Sequence, residues 1–165
     1  ATTDFDLWPE TSKMILVLLM FIGACAGSTG GGFKISRLLI LCKAIPKQLS
    51  LVIHPREVKV IRMDGKPIDH NTLRSTNVYL AIYFFILLVS TLLISVDNFN
   101  LTTNFTAVAS TLNNIGPGLD GVGPTRNFGM YSDFSKFVLM FDMLAGRLEL
   151  YPLLILFMPS LWRRK

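Results

Sequence analysis

Gly27-Ser28-Thr29-Gly30-Gly31-Gly32 interrupts a hydrophobic segment part of the way through a stretch that otherwise reads as a membrane crossing. The apolar run before it, Met14 to Ala26, has about 13 residues and covers about 20 Å as a helix, too little for a hydrocarbon core of about 30 Å. A second piece, Phe33 to Ile45, therefore has to complete the crossing. Because unpaired backbone at membrane depth is tolerated only inside protein or beside a watery cavity, the pattern predicts two half-helices joined by a glycine loop that lines or gates a pathway.

Two other interpretations of the glycines were weighed. The spacing Gly23-x-x-x-Gly27-x-x-x-Gly31 is typical of helices that pack closely in membranes, but four glycines within six residues are more than a packing seam requires, since each costs about 1 kcal/mol in a helix. The run from Gly27 to Lys34 also nearly matches a nucleotide-binding P-loop. Phe33 stands where that motif needs lysine, and the flanks are apolar and helical, so the P-loop is rejected. The packing seam remains the alternative to a gate.

Composition favours a membrane bundle over a soluble domain. The 165 residues are 51% hydrophobic and 16% charged, with a mean hydropathy of +0.49. The net charge of +5 is concentrated between the hydrophobic segments and at the C-terminus, which points to membrane orientation rather than nucleic-acid binding. Nine basic and three acidic residues lie from Lys34 to Arg74. The positive-inside rule makes that connection cytoplasmic, and Arg163-Arg164-Lys165 places the C-terminus on the same side if the chain crosses three times.

The segments after the first crossing have different characters. Pro46 is expected to end the inner half-helix, and Asp64-Gly65 predicts a small hairpin in the cytoplasmic linker, for docking a soluble partner or as a solvated linker without one. Val78 to Val96 is a plain second crossing. Leu101 to Leu112 is too short and too polar to cross and runs into Asn113 to Gly118. The sequence predicts a re-entrant helix followed by extended backbone whose carbonyls can replace an ion's water, with an ordinary outer loop as the alternative.

The third predicted crossing, Phe134 to Leu161, contains charges that are costly in a membrane and should face protein or water. At 100° per residue, Arg147 and Glu149 cannot share a helix face. Arg147 falls with Met140, Met143 and Leu144, whereas Glu149 falls with Asp142 and Ala145. We expect one face to serve the pathway and the other to form a contact between helices.

Five motifs distributed along the chain point to a known family. They are Cys25 to Lys34, His54-Pro55-Arg56, Thr111 to Gly118, Gly146-Arg147-Leu148-Glu149 and Pro159-Ser160-Leu161-Trp162. Together they resemble the bacterial Trk/Ktr potassium-uptake proteins, in particular the TrkH-type membrane subunit. The resemblance implies an all-α membrane protein in which four repeats, each a helix, a re-entrant pore helix, a filter loop and a second helix, surround one pore.

The resemblance also implies where this chain lies in such a subunit. Residues 1–45 would be the last, broken helix of the third repeat, residues 46–74 a cytoplasmic linker with a small β-hairpin, and residues 75–165 the complete fourth repeat. The chain is therefore expected to be a fragment that needs the other three repeats of its own subunit to form a pore.

Carried over residue by residue, the resemblance places one quarter of an ion filter at Asn114, Ile115 and Gly116. It makes Gly27 to Gly32 an intramembrane gate below the filter. Arg147 would project into the pore near that loop and either oppose resting cation flow or pin the loop's carbonyls. No catalytic residue, resident metal or cofactor is implied, since K⁺ is the cargo.

The resemblance further implies a homodimer in the bacterial plasma membrane, surrounded by lipid, that crosses several times and has a cytoplasmic C-terminus. It implies a cytosolic TrkA-type regulatory subunit, which alone would bind nucleotide, and no nucleic acid. Two functions stay open: potassium uptake through a gated four-repeat pore, and a non-conducting membrane assembly or scaffold. An enzyme is not supported, because the sequence shows no nucleophile–base pair or metal cluster.

Overall fold

The structure is a computed structural model that describes residues 2–25, 28, 31–54, 60–63 and 65–148. Within these ranges the chain forms five α-helices and one short pair of strands. In chain order they are α1 (Glu10–Ile22), α2 (Ile35–Ile53), β1 (Arg62–Met63), β2 (Lys66–Pro67), α3 (His70–Ile94), α4 (Leu101–Leu112) and α5 (Asp133–Arg147).

Helix α3 is the longest element. It has 25 residues, and with the 3₁₀ turn that follows it forms the segment His70–Asp97, the one helix in the described ranges that is long and apolar enough to cross a membrane. The 13 residues of α1 and the 12 of α4 cover only about 20 Å and 18 Å. The first predicted crossing is thus divided between α1 and α2, and the predicted continuation of the third, beyond Leu148, lies outside the described residues.

The core lies where α3, α4 and α5 pack together. All but three residues of α4 are buried, although the helix is rich in threonine and asparagine and carries no charge. Its small Ala107, Ala109 and Ser110 are fully buried, so neighbouring helices can approach its backbone closely. The larger buried side chains of this core include Tyr83, Leu87, Ile94, Val108, Leu112 and Leu139.

The predicted end of the inner half-helix at Pro46 is wrong. Helix α2 continues through Pro46 to Ile53, so the boundary predicted at residue 45 falls inside a continuous helix. Proline removes one backbone hydrogen bond and favours a kink, but packing holds the helix together across it. Buried side chains of α2 form a small second core with residues before and within α3, and Lys43 Nζ donates to the Arg62 carbonyl at 2.9 Å.

Strands β1 and β2 lie in the region where the sequence predicts a hairpin. They pair antiparallel, with Arg62 opposite Pro67 and Met63 opposite Lys66. Gly65 occupies the turn with φ +77°, a left-handed conformation that glycine adopts at little cost. Ile68 N donates to the Ile61 carbonyl at 2.8 Å, which extends the pairing by one bond. The cytoplasmic position of this pair and its docking role remain predictions.

Candidate functional site

The two ends of the glycine-rich break lie close together between α1 and α2. Gly23 ends α1 with φ +69°, and a Cβ atom there would lie 2.9 Å from Lys34 N. Ile35 N donates to the Ala24 carbonyl at 3.1 Å, so the end of α1 and the start of α2 are joined directly. Of the predicted gate, Ser28, Gly31 and Gly32 are described, whereas Gly27, Thr29 and Gly30 lie outside the described residues.

Aromatic side chains of α3 fix the exit of this loop. Phe33 is buried against Tyr79 and Tyr83, with ring centroids 6.1 Å and 6.3 Å away. The Arg37 guanidinium lies 3.8 Å from the centroid of the Tyr79 ring, a cation–π contact. Phe33 and Arg37 therefore attach the exit of the loop to α3 through tilted aromatic contacts and a cation–π contact.

The predicted filter residues leave α4 through a tight reversal. Asn114 has φ +56°, its N–H donates to the Thr111 carbonyl at 3.1 Å, and Ile115 N donates to the Ser110 carbonyl at 2.9 Å. These two bonds are the Schellman pattern that ends a helix in a left-handed residue. Gly116 has φ +113°, and a Cβ atom there would meet no heavy atom within 4 Å. The turn Asn114–Gly116 thus presents a glycine to open space.

The chain after the turn runs back along α4 and is held by three hydroxyl groups on one face of that helix. We call Thr103, Thr106 and Ser110 the hydroxyl ladder. Its bonds are Ser110 Oγ donating to the Gly116 carbonyl at 2.6 Å, Leu119 N donating to Thr106 Oγ1 at 3.0 Å and Gly121 N donating to Thr103 Oγ1 at 3.2 Å. The three residues are spaced by three and four positions, so their hydroxyl groups lie on one face of α4.

Two asparagines connect the turn to the rest of the bundle. The buried Asn113 accepts a hydrogen bond at Oδ1 from the Tyr83 hydroxyl at 2.8 Å. Asn114 Nδ2 donates to the Met143 carbonyl at 3.2 Å. A Cβ atom on Gly31 would lie 2.8 Å from both the Asn113 carbonyl oxygen and Asn114 Nδ2. The turn is therefore in contact with α3, α5 and the glycine-rich loop at once.

Helix α5 approaches the same junction with a glycine. A Cβ atom on Gly146 would lie 1.8 Å from the Leu112 carbonyl oxygen and 2.8 Å from Asn114 Nδ2. The Asn114 side chain thus lies between Gly31 of the loop and Gly146 of α5. A cavity of about 260 Å³ beside this contact is lined by residues of α1, the loop and the turn. Arg147, the residue after Gly146, is exposed. No hydrogen bond or ion pair joins it to the part of the loop that the structure describes, so its predicted role stays a prediction.

The two faces of α5 have different surroundings. Asp142 and Ala145 are fully buried, and Asp142 Oδ1 accepts a hydrogen bond from the Ser90 hydroxyl of α3 at 2.7 Å. On the face of Arg147, Met140 and Met143 are exposed and help line an apolar cavity of about 480 Å³ beside the turn. The Asp142 face therefore makes the contact between helices, and the Arg147 face is open. Glu149 lies outside the described residues.

A comparison with known families now settles which one this chain resembles. The family model TrkH, described as a cation transport protein, matches residues 1–164. The chain belongs to the TrkH cation-transport family. The family predicted from the motifs is thereby confirmed, and so is the prediction that the chain is not an enzyme.

Individual relatives support the same family. The Trk system potassium uptake protein TrkH of Vibrio parahaemolyticus is 39% identical over 98% of this chain and 33% of its own length. TrkH of Escherichia coli K12 is 37% identical over 98% of this chain and 33% of its length. The crystal structure of the potassium transporter TrkH from Vibrio parahaemolyticus superposes with a TM-score of 0.88, covering 99% of this chain and 34% of that one. This TrkH-family chain thus spans about a third of the length of these relatives.

The segment that follows the turn in this TrkH-family chain is organised around Asp120. Its carboxylate accepts hydrogen bonds from Asn100 Nδ2, at the N-terminus of α4, and from Thr103 Oγ1, and its N–H donates to Asp6 Oδ1 at 2.9 Å. The hydrogen bond from Asn100, followed by that from Thr103, holds the pKa of Asp120 below its ordinary value. Arg126 adds a long ion pair of 3.9 Å. The chain after the turn is therefore tied to both α4 and the N-terminal segment.

Sequence reasoning missed three residues of the junction in this TrkH-family chain: Tyr83, Asn113 and Gly146. Gly146 stands inside the motif that was quoted for its neighbour Arg147, and Asn113 stands directly before the predicted filter. Tyr83 gave one signal, a hydroxyl in an otherwise apolar run, which in a membrane needs a hydrogen-bond partner.

Proposed function

We propose that this chain is part of a longer potassium-uptake subunit, in which the turn Asn114–Gly116 supplies one quarter of the ion filter. The relatives are named as Trk system potassium uptake proteins, and this chain covers about a third of each. The other three quarters would come from further repeats of the same subunit. The observation that carries the proposal is Gly116, which faces open space with φ +113° at the end of a buried, uncharged helix.

The helix that precedes the turn suits a cation. Helix α4 carries no charged side chain, and its C-terminal end, where the backbone dipole is negative, lies next to the turn. Carbonyl oxygens of an extended loop can replace the hydration shell of K⁺, and a negative helix end nearby lowers the free energy of the dehydrated ion. The uncharged helix and its negative end therefore favour a filter over the alternative of an ordinary outer loop.

The glycine-rich loop acts as the gate in this proposal. A Cβ atom on Gly31 would lie 2.8 Å from the Asn113 carbonyl oxygen and from Asn114 Nδ2, and this close approach supports a gate beside the proposed filter. Gly146 brings the end of α5 to the same asparagine. Arg147 follows on the open face of α5, where its charge opposes resting cation flow or pins the carbonyls of the loop. In this proposal the loop and Arg147 together control the passage of K⁺.

The remaining parts of the proposal concern the surroundings of the subunit. It forms a homodimer in the bacterial plasma membrane, crosses several times and has a cytoplasmic C-terminus. The basic linker and the β1–β2 pair face the cytosol, where a TrkA-type regulatory subunit docks and binds the nucleotide. The chain itself needs no cofactor, since K⁺ is cargo. In the part of the chain that the structure describes, no feature favours the scaffold alternative.

The test is neutralisation of Arg147 in the complete subunit. Arg147→Gln is expected to raise Rb⁺ uptake into proteoliposomes, because a positive charge that opposes cations in the resting state is removed. The matched control is Lys13→Gln on α1, where the lysine pairs with Glu10 at 2.9 Å and does not line the cavity beside the turn. Unchanged uptake by Arg147→Gln at normal expression, or an equal increase in both variants, would contradict the role proposed for Arg147.

A further inference from the structure

The peptide between Gly116 and Pro117 has few groups that can restrain its orientation. Proline has no N–H, so the only hydrogen-bonding group of this peptide is the Gly116 carbonyl. Gly116 has no side chain, and its Cα faces open space. Neither a side chain of Gly116 nor a backbone donor therefore restrains the orientation of the Gly116 carbonyl.

Ser110 supplies the missing restraint. It is fully buried on α4, and its hydroxyl donates to the Gly116 carbonyl at 2.6 Å, a short bond for a neutral pair. The other two members of the hydroxyl ladder bind chain further from the turn, at Leu119 and Gly121. Ser110 is thus the member of the ladder that reaches the predicted filter.

We propose that Ser110 is a specificity-determining positioning residue, which fixes the orientation of the Gly116 peptide and so sets how the carbonyls of the turn face an ion. The inference rests on the proposed filter. Discrimination between K⁺ and the smaller Na⁺ depends on the size of the carbonyl cage and on the number and field strength of its oxygens. When the Ser110 bond is lost, the Gly116 carbonyl is free to rotate toward the ion path, and a looser cage accommodates Na⁺.

The neighbouring residue offers a matched control. Thr111 is also buried on α4, but its hydroxyl donates to the Ala107 and Val108 carbonyls within the helix and does not reach the turn. Thr111→Val removes a hydroxyl one position away and leaves the Gly116 restraint in place. A loss of selectivity caused by general weakening of α4 would appear in both variants, whereas the proposed effect appears only at Ser110.

The experiment measures Na⁺ competition with Rb⁺ uptake by the complete subunit in proteoliposomes. Ser110→Ala is expected to raise the relative permeability to Na⁺ by roughly fivefold, which corresponds to about 1 kcal/mol, the net value of one hydrogen bond. Thr111→Val keeps the wild-type ratio. Ser110→Cys, which keeps the size but is a weaker donor, gives an intermediate ratio and serves as the measurement if Ser110→Ala fails to fold.

A fourth variant separates this inference from the proposed filter. Gly116→Ala adds a side chain at φ +113°, where only glycine is unstrained, and should change uptake if the turn lies on the ion path. Normal uptake and selectivity in Gly116→Ala would overturn the proposed filter itself. A changed ratio in Gly116→Ala together with a wild-type ratio in Ser110→Ala, or equal ratios in Ser110→Ala and Thr111→Val, would overturn the role of Ser110 alone.

Discussion

Gly146→Ala is the substitution that tests the close contact between α5 and the end of α4. The added methyl carbon would lie 1.8 Å from the Leu112 carbonyl oxygen. A carbon atom normally lies about 3.5 Å from a neighbouring heavy atom, so the two helices would have to separate by roughly 1.7 Å. Both contacting groups belong to backbone in regular helices, and neither can rotate away as a flexible side chain would.

The expected cost has two parts. Overpacking of a buried contact costs about 1–3 kcal/mol, and separation of the helices also breaks the 3.2 Å hydrogen bond from Asn114 Nδ2 to the Met143 carbonyl, worth about 1 kcal/mol. We therefore expect the complete subunit to lose about 2–4 kcal/mol of stability. Because Asn114 also starts the proposed filter, K⁺ or Rb⁺ uptake should fall in the same variant.

The assay is thermal unfolding of the detergent-solubilised subunit, followed by loss of the monodisperse peak on size exclusion. The control is Gly129→Ala in the 3₁₀ turn before α5, where an added methyl group meets only the side chain of Asn127, whose oxygen lies 2.7 Å away and can rotate. A lower melting temperature for Gly146→Ala and a near-normal one for Gly129→Ala are expected. A wild-type melting temperature for Gly146→Ala would refute the backbone-to-backbone contact.

Two further predictions concern the contacts on either side of the turn. Tyr83→Phe removes the hydroxyl that donates to the buried Asn113 Oδ1 at 2.8 Å. The free energy of unfolding should fall by about 1–3 kcal/mol, because a buried acceptor is left unpaired while the packing of the ring is kept. The melting temperature of the complete subunit measures this loss, and an unchanged melting temperature would contradict the hydrogen bond. The lowered pKa of Asp120 means that its ionised form stabilises the folded state above the ordinary carboxyl pKa, and that this contribution disappears as the pH falls below about 4. As the pH is lowered through about 4, the melting temperature should fall more steeply for wild type than for Asp120→Asn. The same pH dependence in both proteins would contradict the stabilising role of the ionised Asp120.

The sequence predicts the structure best where residues close together in the chain determine it, as at helix ends and along a helix face. The break after α1 follows from its glycines, and the short helix Leu101–Leu112 has the predicted bounds because asparagine caps its start and Asn113-Asn114 permits its reversal. The two faces of α5 follow from helical periodicity, which separates Asp142 from Arg147. The re-entrant placement of α4, the gate and the filter remain predictions.

The misses have a common origin in contacts between distant elements. Pro46 stays within α2 because packing against residues 61 and 73 offsets the lost backbone bond, and no local pattern reveals that packing. The hydrogen bond from Tyr83 to Asn113 joins residues on different helices, and the periodicity of either helix alone does not show it. The role of Gly146 is not predictable from the sequence, because a single glycine in a helix does not indicate which backbone packs against it.

The bond between Asp6 and Asp120 joins residues that are 114 positions apart in the chain. It closes a ring of polypeptide that contains both halves of the broken crossing, the basic linker and α3. Because the entropy of closing a ring grows only with the logarithm of its length, doubling such a ring costs only about 0.6 kcal/mol. Insertions in the linker are therefore expected to cost little free energy, so the linker can vary in length while the bond between Asp6 and Asp120 and the turn stay unchanged.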